Sequence, residues 1–119
     1  MADERARITA EMARTTFQRK VVAREPAPAV LADAVAFFTA RGYRAGPTGR
    51  PNQVYVMGGR EGPLPRVTAE ILVQPNVGKA KTTLVNISGF GEQLAGHLRD
   101  YATHLRERTK AARNLDPTS

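Results

Sequence analysis

Cysteine and tryptophan are both missing from this chain of 119 residues. Without cysteine there is no disulfide scaffold, no thiolate-bound zinc or iron–sulfur cluster, and no thiol nucleophile. Serine is almost missing as well, since Ser88 and Ser119 are the two present. The run Asn86-Ile87-Ser88-Gly89 lacks the spacing of a nucleophile elbow. No apolar run approaches the ~20 residues that a membrane-spanning helix needs. Four charged residues, Asp3, Glu4, Arg5 and Arg7, precede the first large aliphatic side chain after the initiator, Ile8. That opening is unlike a secretory leader, so a cytoplasmic protein is expected.

Acids are scarce in one long stretch, with none from Ala34 to Arg60. The whole chain carries 18 Lys and Arg against 11 Asp and Glu, a formal +7. Seven of the bases, Arg41, Arg44, Arg50, Arg60, Arg66, Lys79 and Lys81, lie in a segment whose acids are Glu61 and Glu70, a net +5. The remainder carries +2. A surplus of this kind aids solubility and also draws the chain toward nucleic acid, anionic lipid or an acidic protein surface. Those seven bases are the candidate nucleic-acid contacts.

Hydrophobic residues make up 41% of the chain, enough for one core at this length. Residues 1 to 14 are charged and helix-prone, with Ile8 and Met12 as their apolar pair, and read as a loose N-terminal arm. Residues 15 to 110 read as a single domain, and 111 to 119 as a frayed tail. Within the domain, TTFQRKVVA reads as a strand that Pro26 and Pro28 end. Leu31, Val35 and Phe38, widened by Val30, Ala34 and Phe37, give a helical stripe from Pro28 to Arg41. Gly42 fits a left-handed cap, with Tyr43 folding back on the last turn.

A short strand at 43–45 and three longer runs, QVYVM, RVTAEILVQ and KTTLVNIS, follow between turn-rich connections. In the middle run Val67, Ala69, Ile71 and Val73 share one face, while Arg66, Thr68, Glu70, Leu72 and Gln74 share the other. Leu94, Leu98, Tyr101 and Leu105 then mark an amphipathic helix from Glu92 to about residue 108. The order β-α-β-β-β-β-α predicts a two-layer α+β fold, an antiparallel sheet of four to five strands with two helices on one face. Phe38, Val67, Ile71, Val73, Val85, Ile87, Leu94, Leu98 and Leu105 are the expected core, with Leu31 and Val35.

This order, carried by TTFQRKVVA, PAVLADAVAFFTARGY, QVYVM, RVTAEILVQ, KTTLVNIS and the Leu94 to Leu105 helix, resembles one repeat of the TATA-binding-protein-like fold. It is similar more loosely to the helix-grip proteins, in which a long C-terminal helix lies across a curved sheet. The resemblance is one of topology over residues 15 to 110 and transfers no functional residue. It implies an open sheet face on which Tyr55 and Leu72 are the exposed apolar side chains. One repeat makes half of a saddle, so a homodimer with Leu72 at its interface is expected.

Other chemistry is poorly served. Gly89-Phe90-Gly91 opens a helix but lacks the third glycine of a dinucleotide turn, and Glu92 places a carboxylate where an anion would sit. Gly78-Lys79 lacks the earlier glycine of a phosphate loop, because Val73 holds that place. His97, Asp100 and His104 share a helix face, yet two His seven residues apart are ~10 Å apart along the axis, too far for one metal ion. The sequence predicts no enzyme, no cofactor and no metal. It predicts a small basic binding module that meets an anionic partner such as nucleic acid. An accessory subunit docking on another protein and a carrier of an apolar ligand are the alternatives.

Overall fold

The computed structural model describes residues 2 to 114. Its elements are α1 (Ala2–Thr15), β1 (Phe17–Ala23), α2 (Ala27–Ala40), β2 (Arg44–Pro47), β3 (Gln53–Gly58), β4 (Val67–Val77), β5 (Thr82–Gly89) and α3 (Glu92–Asn114). The strands form one antiparallel sheet in the order β1-β5-β4-β3-β2. The α+β architecture is as expected, with a third helix at the N-terminus.

That extra helix takes up the helix-prone segment read as a loose arm over residues 1 to 14. Asp3 and Glu4 sit in its first turn and Arg14 in its last, which suits the helix dipole. It is exposed along most of its length, with Ile8 half-buried against the core. Its end is tied down. The Thr15 hydroxyl donates to Glu11 O at 2.7 Å and accepts the Gly91 amide at 2.9 Å.

α2 begins after Pro26 with proline in its first turn and ends in a Schellman arrangement. Gly42 adopts φ 90°, its amide donates to Thr39 O, and the Tyr43 amide reaches back to Phe38 O at 3.0 Å. The buried stripe runs through Ala27, Val30, Ala34 and Phe38. Leu31 and Val35 flank it half-buried, so the helix is rolled slightly from the face drawn by the larger side chains. Small alanines let the helix lie close to the sheet, while Phe37 turns toward α3 and meets the Tyr101 and His104 rings at 5.1 and 5.0 Å.

β4 extends past Gln74 to Val77 because a bulge absorbs Pro75. Gln74 pairs with Leu84 and Val77 with Thr82, so one extra residue is taken up between them, with Asn76 at φ 58°. α3 likewise runs beyond the expected end to Asn114. At that expected end the Arg108 guanidinium holds Glu25 through two bonds of 2.6 and 2.7 Å and reaches Asp33 at 3.2 Å, which ties α3 to α2 and its approach. The rest of the expected tail, from Leu115 on, lies outside the described residues.

Both α2 and α3 cover the same sheet face. Between them and the strands lies one core containing Phe38, Val67, Ile71, Val85, Ile87, Leu94, Leu98 and Tyr101, all fully buried. No helix among the described residues is long and apolar enough to cross a membrane.

Candidate nucleic-acid interface

The second face of the sheet carries no helix, and strand register fixes what it displays. Gln18, Ser88, Glu70, Tyr55 and Gly46 stand opposite one another in a row across all five strands. The next row is Lys20, Asn86, Leu72 and Gln53, and beyond it come Val22, Leu84 and Gln74. On the other side of Tyr55 stand Thr68, Met57 and Arg44. Arg66, just before β4 and two residues before Thr68, borders a depression with Met57 and Arg44 at this end of the sheet. Val22, Leu72 and Tyr55 are 51%, 39% and 38% exposed, the most exposed apolar side chains on this face.

Shallow depressions adjoin along the end of the face where β1 starts and β3 ends. One of about 330 Å³ lies among Thr16, Tyr55, Thr68, Glu70, Ser88 and Phe90. A second, about 320 Å³, is shared by Arg44, Pro47, Thr48, Tyr55 and Met57. A third, about 380 Å³, lies among Gly42, Arg44, Met57, Gly58, Gly59, Pro65 and Arg66. Tyr55 borders two of them, as do Arg44 and Met57, so they form a groove across the sheet. Its one acid is Glu70, which accepts the Gln53 amide at 2.6 Å, while Gln53 accepts the Thr48 hydroxyl at 2.6 Å. That chain pins the β2–β3 loop to the centre of the sheet.

Of the seven candidate bases, the fold brings Arg44 and Arg66 into one depression. Neither has a carboxylate within ion-pair distance among the described residues. Arg41 belongs to the helical layer. Its guanidinium bonds Asp100 at 2.9 Å, contacts His97 Nδ1 at 3.0 Å and lies 4.3 Å from the Phe37 ring centre. Arg60 borders a hollow with Asp3, Glu4 and Arg7 of α1, where acids offset its charge. Arg50 lies in the β2–β3 loop, at the other end of the short strand β2 from Arg44, and Lys79 and Lys81 lie in the β4–β5 loop, with Lys81 at φ 52°. The eleven residues of β4 separate the β4–β5 loop from the Arg66 end of the sheet by ~36 Å.

Lys20 is a base that charge counting by segment missed and that the fold places on the open face. Its signal was present in the sequence, since it alternates with Gln18 and Val22. His97, Asp100 and His104 divide between two partners, the first two meeting Arg41 and the third meeting Asp33 at 2.9 Å. No cluster of three or more potential metal ligands occurs among the described residues.

No family model matches the chain, and no curated protein does. Among solved structures it is similar to a crystal structure of a Deinococcus radiodurans protein, DR_A0006, with 15% identity and a TM-score of 0.46 over 82% of this chain and 99% of that one.

Proposed function

We propose that this chain is a small basic binding module whose bare sheet face receives single-stranded nucleic acid. One observation carries the reading: Tyr55 stands exposed on an uncovered sheet, beside a depression bordered by Arg44 and Arg66, which have no ion-pair partner among the described residues. An aromatic side chain on a sheet offers a base a stacking platform, and neighbouring guanidinium groups offer the backbone its counter-charge. Such an open face is also what the resemblance to a TATA-binding-protein-like repeat implies. A cytoplasmic, non-enzymatic role is part of this reading and rests on the sequence.

The test is fluorescence anisotropy with labelled single-stranded DNA and RNA at two salt concentrations. Each neutralised phosphate contributes a slope of about −0.7 in log affinity against log salt for single strands. Contacts to three phosphates would therefore weaken binding roughly twentyfold between 50 and 200 mM salt. Absence of binding at low salt overturns the reading.

A second reading concerns assembly. Val22, Leu84 and Leu72 form a diagonal apolar stripe on the half of the face away from Arg44 and Arg66. A second copy of the chain is the occupant that suits it, because a two-fold pairing through Leu72 buries both stripes and leaves both arginine-bearing ends free. The accessory-subunit alternative would use the same stripe. A carrier of apolar ligands has less support, since Phe38, Tyr101, Leu94, Leu98, Ile71 and Ile87 fill the space between sheet and helices.

A further inference from the structure

We infer that Arg44 and Arg66 act as a clamp on a single phosphate group at the end of β3. The inference deepens the nucleic-acid reading and rests on it for the identity of the molecule that carries the phosphate.

Strand geometry sets up the convergence. β3 lies between β2 and β4, so Arg44 and Arg66 approach its end from opposite sides. Arg44 stands opposite Met57, and Thr68, two residues on from Arg66, stands opposite the same Met57. Two strand spacings of about 4.8 Å and a two-residue offset place the two arginine Cα atoms ~12 Å apart. Two guanidinium groups on extended side chains can meet across that span, and both border the same depression of about 380 Å³.

Met57, Gly58 and Gly59 at the end of β3 line the space between them. A Cβ at Gly59 would meet nothing within 4 Å, so the backbone there is open to close approach by an anion. The negative end of α2 lies nearby at Gly42 but is largely quenched. Phe38 O accepts the Arg41 and Tyr43 amides, and Thr39 O accepts that of Gly42. Glu61, in the same β3–β4 connection, directs both carboxylate oxygens to the start of α3 instead. Two planar, permanently charged forks with no ion-pair partner among the described residues match the tetrahedral oxygens of phosphate.

One shared phosphate has a signature that two independent contacts lack. Binding of labelled single-stranded DNA is measured for wild type, Arg44→Gln, Arg66→Gln, the double variant, and a triple Arg50→Gln/Lys79→Gln/Lys81→Gln variant. Each single clamp substitution should cost about tenfold in affinity. The double should cost little more than either single, because the second arginine loses most of its purpose once the first is gone. The triple variant should lose less than the clamp singles. Additive losses at Arg44 and Arg66, or a larger loss in the triple, overturn the clamp while leaving nucleic-acid binding intact.

Titration of wild type and Arg44→Gln with inorganic phosphate, followed by backbone amide NMR, separates the two sources of the ligand. Wild type that binds no nucleic acid but shows phosphate-dependent shifts at Gly58, Gly59 and Arg66, lost in Arg44→Gln, retains the clamp for a free phosphorylated compound and ends the nucleic-acid reading. If neither DNA nor phosphate perturbs these residues, both ideas fall.

Discussion

Replacing Glu61 with alanine should destabilise the domain by about 2 kcal/mol. α3 starts directly after Gly91, which has no side chain to cap it. Glu61 supplies the cap from thirty residues upstream. Its two carboxylate oxygens accept the Gln93 and Leu94 amides at 2.8 and 3.1 Å. Leu94 is fully buried, so its amide cannot fall back on water. A side-chain N-cap contributes about 1 kcal/mol. A negative charge at a helix N-terminus adds roughly 0.3–1 kcal/mol, and the loss of a buried acceptor raises the sum toward 2.

Gly91 at φ 108° leaves no room for a cap of its own, since a Cβ there would collide with Val67. Urea unfolding followed by circular dichroism measures the effect. With a slope of about 2 kcal/mol per molar, typical of small domains, the midpoint should fall by roughly 1 M. Glu61→Gln keeps one acceptor oxygen without the charge and should cost about half as much. An alanine cost below about 0.5 kcal/mol, or equal costs for Gln and Ala, would refute the capping argument.

Phe38→Ala should cost on the order of 3–5 kcal/mol in the same assay, because the ring is fully buried and packs against Phe37 and Tyr101 at 5.1 and 5.2 Å. A cost below about 1 kcal/mol would mean that the surrounding rings are not packed as described. The Tyr101 hydroxyl is buried without a hydrogen-bond partner among the described residues, so Tyr101→Phe should leave stability unchanged or raise it by about 1 kcal/mol. Burial first, then the nearby Asp33 carboxylate, push the Tyr101 phenol above its ordinary range. The neutral phenol is therefore favoured in the folded state, and its contribution is complete below about pH 10 and lost as pH rises further. Stability measured from pH 8 to 11 should fall less steeply in Tyr101→Phe than in wild type, and parallel curves would contradict this. Leu72→Asp should convert a wild-type dimer to monomer with an unchanged circular dichroism spectrum. Light scattering that finds wild type monomeric at high micromolar concentration refutes the assembly reading.

Much of the fold is written in local patterns. Alternation in RVTAEILVQ places Val67, Ala69, Ile71 and Val73 inward, and the i, i+4, i+7 spacing around Phe38 defines a helix, because strand and helix periods are local properties of the backbone. Gly42 marks the end of α2 for the same reason, since a left-handed turn favours glycine at that residue alone. Local patterns do not decide whether an exposed segment is helical. α1 buries little and is held through Thr15 and Gly91, which are 76 residues apart. Nor do they decide how α3 is tied to the rest of the layer, since Arg108 must find Glu25 and Asp33, far away in the chain.

The candidate site divides the same way. Counting charge along the chain identifies a basic segment, but strand direction alternates from one strand to the next in an antiparallel sheet. Neighbours in sequence such as Arg44 and Arg50 therefore end at opposite ends of the β2–β3 hairpin, while Arg44, on β2, and Arg66, just before β4, border one depression. By itself the sequence determined the elements, the two-sided character of the strands and the surplus of positive charge. Only the tertiary structure decided which charges stand together and which are neutralised within the fold, because that depends on register and on distances between residues far apart in the chain.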